Sequence, residues 1–246
     1  MSKQSETGHA KNVANFNVMI SYCTSYGAAY NPSRASIKLP ALIALHTAAD
    51  NALNSVIQGM TDYNQAINSR KQAFENLKPL ATRLIAALQA TDATSATIDD
   101  AKGFNRKIQG TRAAPIKESA IQTMPDGTVV NSSISTSQQS YDQQIQHFSK
   151  LISLLIAESS YTPNEVELQT VTLTNMLTNM RNCNINISTA YANISQNRIT
   201  RNNLLYNDTT GIFVTATDVK KYVKSIYNAT STEFKLISKL KFTNKA

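Results

Sequence analysis

The chain has 246 residues, enough to bury a core, but only 16% are charged against 41% hydrophobic, where an average soluble domain has roughly 25% charged. Its formal charge is +8 and it has two cysteines, too few for a disulfide-stapled scaffold. Seven glycines and six prolines leave little material for phosphate loops or frequent turns, so long helices are expected.

The amide and hydroxyl residues carry the surface, with asparagine alone occurring 24 times. Amides are mediocre helix formers, so such helices rely on packing more than on propensity. The opening residues, Met1 to His9, are polar with no apolar run behind them, unlike a secretory signal. The longest apolar stretches, such as Leu151–Ala157, are too short to span a bilayer. A soluble, cytoplasmic protein is expected.

Val13, Phe16, Ile20, Cys23 and Tyr30 mark a first helix ending near Tyr30. From Leu39 to Thr91 two series recur every seven residues: Leu42, Ala49, Val56, Tyr63, Arg70, Leu77, Leu84 and His46, Leu53, Met60, Ile67, Phe74, Ala81, Leu88. One charge among these positions predicts a long helix packed along one side, on the order of 75–80 Å long. Pro79 lies outside the apolar series, which predicts a kink and not a reversal. A short amphipathic helix follows over Ser95–Ile108. Residues 111–132 do not read as helix: two β-prone runs flank Pro125-Asp126-Gly127, which fits a small β-hairpin or a plain loop.

A helix is predicted from about Ser133 to Ser159, on Ile134, Tyr141, Ile145, Phe148, Ile152 and Leu155. A second long helix runs from Pro163 to Tyr206. Its series are Val166, Leu173, Met180, Ile187, Ile194 and Met176, Cys183, Ala190, Asn197, Leu204, widened by Leu177, Tyr191 and Leu205. So wide a stripe suits a bundle. The C-terminal segment, on Val219, Tyr222, Val223, Ile226, Phe234, Ile237 and Leu240, breaks near Asn228–Ser231. Tyr30-Asn31-Pro32-Ser33-Arg34 and Tyr161-Thr162-Pro163-Asn164-Glu165 precede the two long helices, with each proline expected near a helix start. Each long helix also carries a basic pair, Arg70-Lys71 and Arg198 with Arg201. Duplicated halves, 30–110 and 161–241, are one explanation; chance likeness of two helix starts is the other. The expected architecture is all-α, a single elongated antiparallel bundle over 1–246.

Tyr30 to Ile37, Arg106 to Ala113, and Val219 to Ile226 followed by Phe234-Lys235 and Lys241-Phe242 resemble an uncharacterised group of helical, cytoplasmic-type proteins from Bacteroidota. The resemblance covers most of the chain. It implies a folded bacterial family and supplies no functional residues.

Chemistry-bearing patterns are few. His9, His46 and His147 stand apart from one another and from other ligand types, so neither a metal nor another cofactor is expected. Cys23 and Cys183 fall on apolar stripes, and no nucleophile motif occurs. Glu165 and Glu167 are read as first-turn acids favoured by the helix dipole. Asp99-Asp100 are read as a helix-end or turn pair, and His46 as a hydrogen-bonded seam histidine. No catalytic residue is assigned. Charge is concentrated in two stretches. Residues 219–246 hold seven lysines against Glu233, and 101–120 hold Lys102, Arg106, Lys107, Arg112 and Lys117 against Glu118. If an anion or nucleic acid is bound, Arg106, Lys107, Arg112, Lys220, Lys221 and Lys224 are the candidate contacts. The expected role is a non-enzymatic structural or protein-interaction bundle, with a protein partner or itself. The alternatives are nucleic-acid binding through the basic stretches and a membrane-active helical protein.

Overall fold

The computed structural model describes residues 6–110 and 139–244, and among them all regular structure is helical. The hairpin-or-loop segment 111–132, residues 133–138 and Arg112 lie outside the described residues. In chain order come α1 (Glu6–Ser25), 3-10 turns at Gly27–Ala29 and Ala35–Ile37, α2 (Leu39–Glu75), α3 (Leu77–Gln89) and α4 (Ser95–Gln109). Then follow α5 (Tyr141–Ala157), a 3-10 turn at Val166–Leu168, α6 (Thr170–Tyr206), α7 (Ile212–Tyr227) and α8 (Thr232–Ser238).

Several predicted boundaries move. The first helix stops at Ser25, not near Tyr30. The long 39–91 pattern is two helices parted at Asn76. Pro79 has no N–H to offer the Glu75 carbonyl and its ring crowds that turn, so the ladder breaks before the proline. The second long helix begins at Thr170, not Pro163. Pro32 and Pro163 therefore sit in the loops before the 3-10 turns, while Pro40 and Pro79 lie in the first turns of α2 and α3. Val166, counted in the apolar series, is 67% exposed for the same reason. Met60 is also exposed. Gly59 is buried instead, and a Cβ there would lie 3.2 Å from Asn197 Nδ2. Asp99 and Asp100 lie inside α4, where Asp99 pairs with Lys102 at 3.1 Å.

The chain forms two compact units. The first takes Met1–Asn64 and Thr189–Ala246, the second Gln65–Ser188. In the first, Phe16, Met19 and Cys23 of α1 and Leu42 and Ala49 of α2 share a core with Leu205, Ile212, Val219, Val223 and Ile237. In the second, Phe74, Leu77, Leu84, Leu88 and Ile108 pack with Phe148, Leu151, Leu155, Leu173 and Met180. The buried positions of the chain's two halves match in spacing. Val13, Phe16, Met19, Ile20 and Cys23 of α1 repeat as Ile145, Phe148, Leu151, Ile152 and Leu155 of α5. Leu77, Ala81, Leu84 and Leu88 of α3 repeat as Ile212, Ala216, Val219 and Val223 of α7. The long helices α2 and α6 have 37 residues each. Each unit thus joins the early elements of one half to the late elements of the other.

Within the first unit, α2 and α6 pack antiparallel: Asn197 donates to the Ser55 carbonyl at 2.9 Å, and Tyr63 meets Tyr191 at 5.9 Å. Within the second, Arg70 donates to Asn184 Oδ1 at 3.0 Å, and Asn184 donates to Asp142 at 2.6 Å. The Arg70 guanidinium lies 4.0 Å from the Tyr141 ring centroid, and Tyr141 meets Phe74 edge-on at 4.7 Å. This is how a core series tolerates an arginine: the cation is shared between an amide oxygen and a π face.

Candidate functional site

Each unit contains the same junction, a tyrosine-led loop lying beside the helix that follows a long helix of the other half. Tyr30 donates to the Ile37 carbonyl at 2.6 Å, and Tyr161 donates to the Leu168 carbonyl at 3.0 Å. Both bonds span seven residues and close the last residue of a 3-10 turn. Burial raises both phenols above the ordinary range, Tyr161 to about 12 with a further push from Glu165. They stay protonated and keep donating. Burial likewise pushes the Cys23 thiol up to about 12, against a smaller lowering by its hydrogen bond with Tyr30. A thiol so held is a poor nucleophile.

The loops carry opposite charge. Arg34 pairs with Asp218 at 2.6 Å in the first unit, and Glu167 pairs with Arg83 at 2.6 Å in the second. Asp218 and Arg83 are each the seventh residue of their helix. The two glutamates read as first-turn acids are in the loop, Glu165 just before the 3-10 turn and Glu167 within it.

The junctions differ at the helix's eleventh residue, Tyr222 of α7 and Ala87 of α3. Tyr222 fills the first junction: its ring meets Tyr30 edge-on at 5.4 Å and 86°, and its hydroxyl accepts the Asn31 N–H at 3.2 Å. The second junction has a cleft of about 670 Å³, lined by Ala86, Ala87, Ala90 and Tyr161 among others. Arg83, Thr91, Asp92, Ser160 and Glu165 are among its polar lining. No family model matches the chain, and no curated protein or solved structure does either.

The sequence-predicted cations are not gathered at this cleft. Arg106 and Lys107 are exposed in the last turn of α4, in the second unit, before the left-handed Gly110. Lys220, Lys221 and Lys224 lie on α7, in the first. Lys220 is half-buried, donates to the Leu240 and Ser238 carbonyls and approaches the Phe242 ring, so it holds the end of α8. Burial lowers its pKa. Lys221 pairs with Asp218 at 3.3 Å, and Lys224 is exposed in the last turn of α7. Of the basic pairs, Arg201 is fully buried, bonded to Asn202 at 2.9 Å. Among the described residues no His, Cys, Asp or Glu cluster could hold a metal ion, and no helix is long and apolar enough to cross a membrane.

The cleft was not found from sequence because Tyr222 read as part of the α7 stripe. The signal lies in matching α3 to α7 on their buried residues. A constant offset from the paired Tyr-x-Pro loops misses it, because one residue, Asn76, joins α2 to α3 while Asn207–Gly211 join α6 to α7.

Proposed function

We propose that this chain is a non-enzymatic structural or protein-interaction bundle that associates with further copies of itself. The observation that carries this is the pair of unpartnered aliphatics on each long helix. In the first unit Ile43 and Ile57 of α2 are 51% and 61% exposed; in the second Val171 and Ile185 of α6 are 70% and 61% exposed. Each pair is two heptads apart, so its members share a helix face, and a surface poor in charge offers little repulsion to association. The buried, neutral Cys23 thiol and the two phenols committed to carbonyls also favour binding over catalysis. The halves of the chain are further proposed to descend from a duplication, on the matched spacing of their buried residues.

Sedimentation velocity over a wide concentration range tests the self-association. Assemblies larger than one chain are expected, weakened by Ile57→Gln and Ile185→Gln; a single-chain species throughout would refute it. Nucleic-acid binding has less support, since Lys220 and Lys221 are engaged within the fold. A gel shift that fades with salt and is lost on reversing Arg106, Lys107 and Lys224 would favour it instead.

A further inference from the structure

We infer that the face of the first unit made by α8 and residues 239–244 docks on an anionic lipid bilayer, an interaction separate from the self-association proposed above. The first unit holds 13 Lys and Arg against 6 Asp and Glu, and the second 11 against 10, so nearly all of the net +8 belongs to one unit. Much of it is gathered on this face. Ile237 is the buried residue of α8, and the exposed Lys235 and Lys239, one turn apart, lie opposite it. Residues 239–244 then run beside α1 and α7, held by their backbone groups. Asn15 donates to the Lys241 carbonyl at 2.7 Å, Asn12 exchanges bonds with Thr243 at 2.8 and 3.1 Å, and Lys220 donates to the Leu240 carbonyl. The Lys239 and Lys241 side chains stay exposed. On α1, Lys11 and Val18 stand one turn either side of Asn15; on α7, Lys224 stands one turn beyond Lys220, and all three are exposed. The acids of α7 and α8 do little to offset these lysines: Asp218 is paired with Arg34 and Lys221, and Glu233 is half-buried.

What lies exposed among the lysines favours lipid over nucleic acid. A single strand is gripped by stacking its bases on aromatic rings. Here every aromatic of α7, α8 and residues 239–244 (Phe213, Tyr222, Tyr227, Phe234 and Phe242) packs against the core. The exposed apolar side chains are aliphatic instead, Leu236 of α8 at 38% and Val18 of α1 at 41%. Lysines over an anionic headgroup layer, with aliphatic side chains entering it beside them, are the chemistry of an interfacial site. The long lysine stem lets the ammonium stay at headgroup level while its apolar neighbours go deeper.

The test floats the full chain with phosphatidylcholine vesicles containing about 30% phosphatidylserine, and with phosphatidylcholine vesicles alone. Binding to the anionic vesicles only is expected, falling as salt rises. Lys235→Glu, Lys239→Glu and Lys241→Glu together should abolish it, since each lysine near such a surface is worth about fivefold in partitioning. These side chains are exposed, so the thermal midpoint should stay within about 2 °C. The same charge change in the second unit, Lys71→Glu, Lys107→Glu and Lys150→Glu, should leave most of the binding. Leu236→Gln with Val18→Gln alters no charge and should weaken binding several-fold. No binding to the anionic vesicles, equal loss from the two triple reversals, or full binding by the Leu236→Gln, Val18→Gln variant would overturn the inference. So would a DNA duplex that binds more tightly than the vesicles and is lost with the first triple reversal, which would assign the face to nucleic acid. Sedimentation and flotation can each fail without the other.

Discussion

Tyr30 and Tyr161 show what a single hydroxyl does for this fold. Each is buried, and each turns its O–H onto the last carbonyl of a 3-10 turn just before a 37-residue helix. Replacing either by Phe keeps the ring and strands the carbonyl, so a loss of about 1 kcal/mol is expected from denaturant unfolding. The sign of the pH dependence follows from the raised phenol pKa values. Below the ordinary value of 10.0 the phenols are protonated in both folded and unfolded chains, and their contribution is complete. As pH rises from there toward about 12 the unfolded chain ionises first, so stability is lost. Tyr161→Phe should flatten that alkaline decline, and an unchanged slope would show that Tyr161 does not titrate with unfolding. Phe74, 8% exposed and edge-on to Tyr141, is a packing residue of the ordinary kind. Phe74→Ala should cost about 3–5 kcal/mol, read in the same unfolding experiment.

Between elements, the reversed polarity of the two ion pairs has a consequence for pairing. Arg34 meets Asp218 and Glu167 meets Arg83. Were like halves of two chains to pair, Arg34 would face Arg83 and Glu167 would face Asp218, and both junctions would repel. Exchanging the loop charges, Arg34→Glu with Glu167→Arg, should therefore cost about 1 kcal/mol, since most of these groups are solvent-screened, or roughly 2–4 °C in thermal midpoint. Adding Arg83→Glu and Asp218→Arg should recover most of it, incompletely at Asp218 because Lys221 also pairs there. Failure of the fourfold exchange to recover anything would leave the pairs without a role in matching. The sequence made the helices themselves legible, because Leu42, Ala49, Val56, Phe74, Leu77, Ala81, Leu84 and Leu88 fall on a period that burial imposes. It did not reveal what faces them. Tyr222 and Ala87 have meaning only in comparison, and the longer α6–α7 connection shifts the register between the halves. Nor does periodicity tell a helix start from a 3-10 turn, which is why Val166 read as core and Pro163 as a first-turn residue.

For the molecule as a whole, the decisive fact is that neither compact unit is made from one stretch of half-chain. The first unit's core needs Phe16 and Leu42 from one half and Leu205 and Val219 from the other; the second needs Leu77 and Leu88 with Phe148 and Leu173. A fragment ending at residue 110 keeps every helix of its half but loses the apolar partners of α1 at one junction and of α3 and α4 at the other. Local propensity cannot compensate, because α6 is rich in asparagine and threonine and both long helices depend on burying their apolar faces. Fragments 1–110 and 139–246 should therefore show weak far-UV helix signals and no cooperative melting when separate. Mixed in equal amounts, they should regain both, with a midpoint that rises with concentration because association supplies the folding energy. Thermal melts of each fragment and of the mixture decide the matter. A cooperative transition in one fragment alone, independent of concentration, would mean that half a chain completes its own core. A concentration-dependent one would mean that like halves can pair despite Arg34 facing Arg83 or Glu167 facing Asp218.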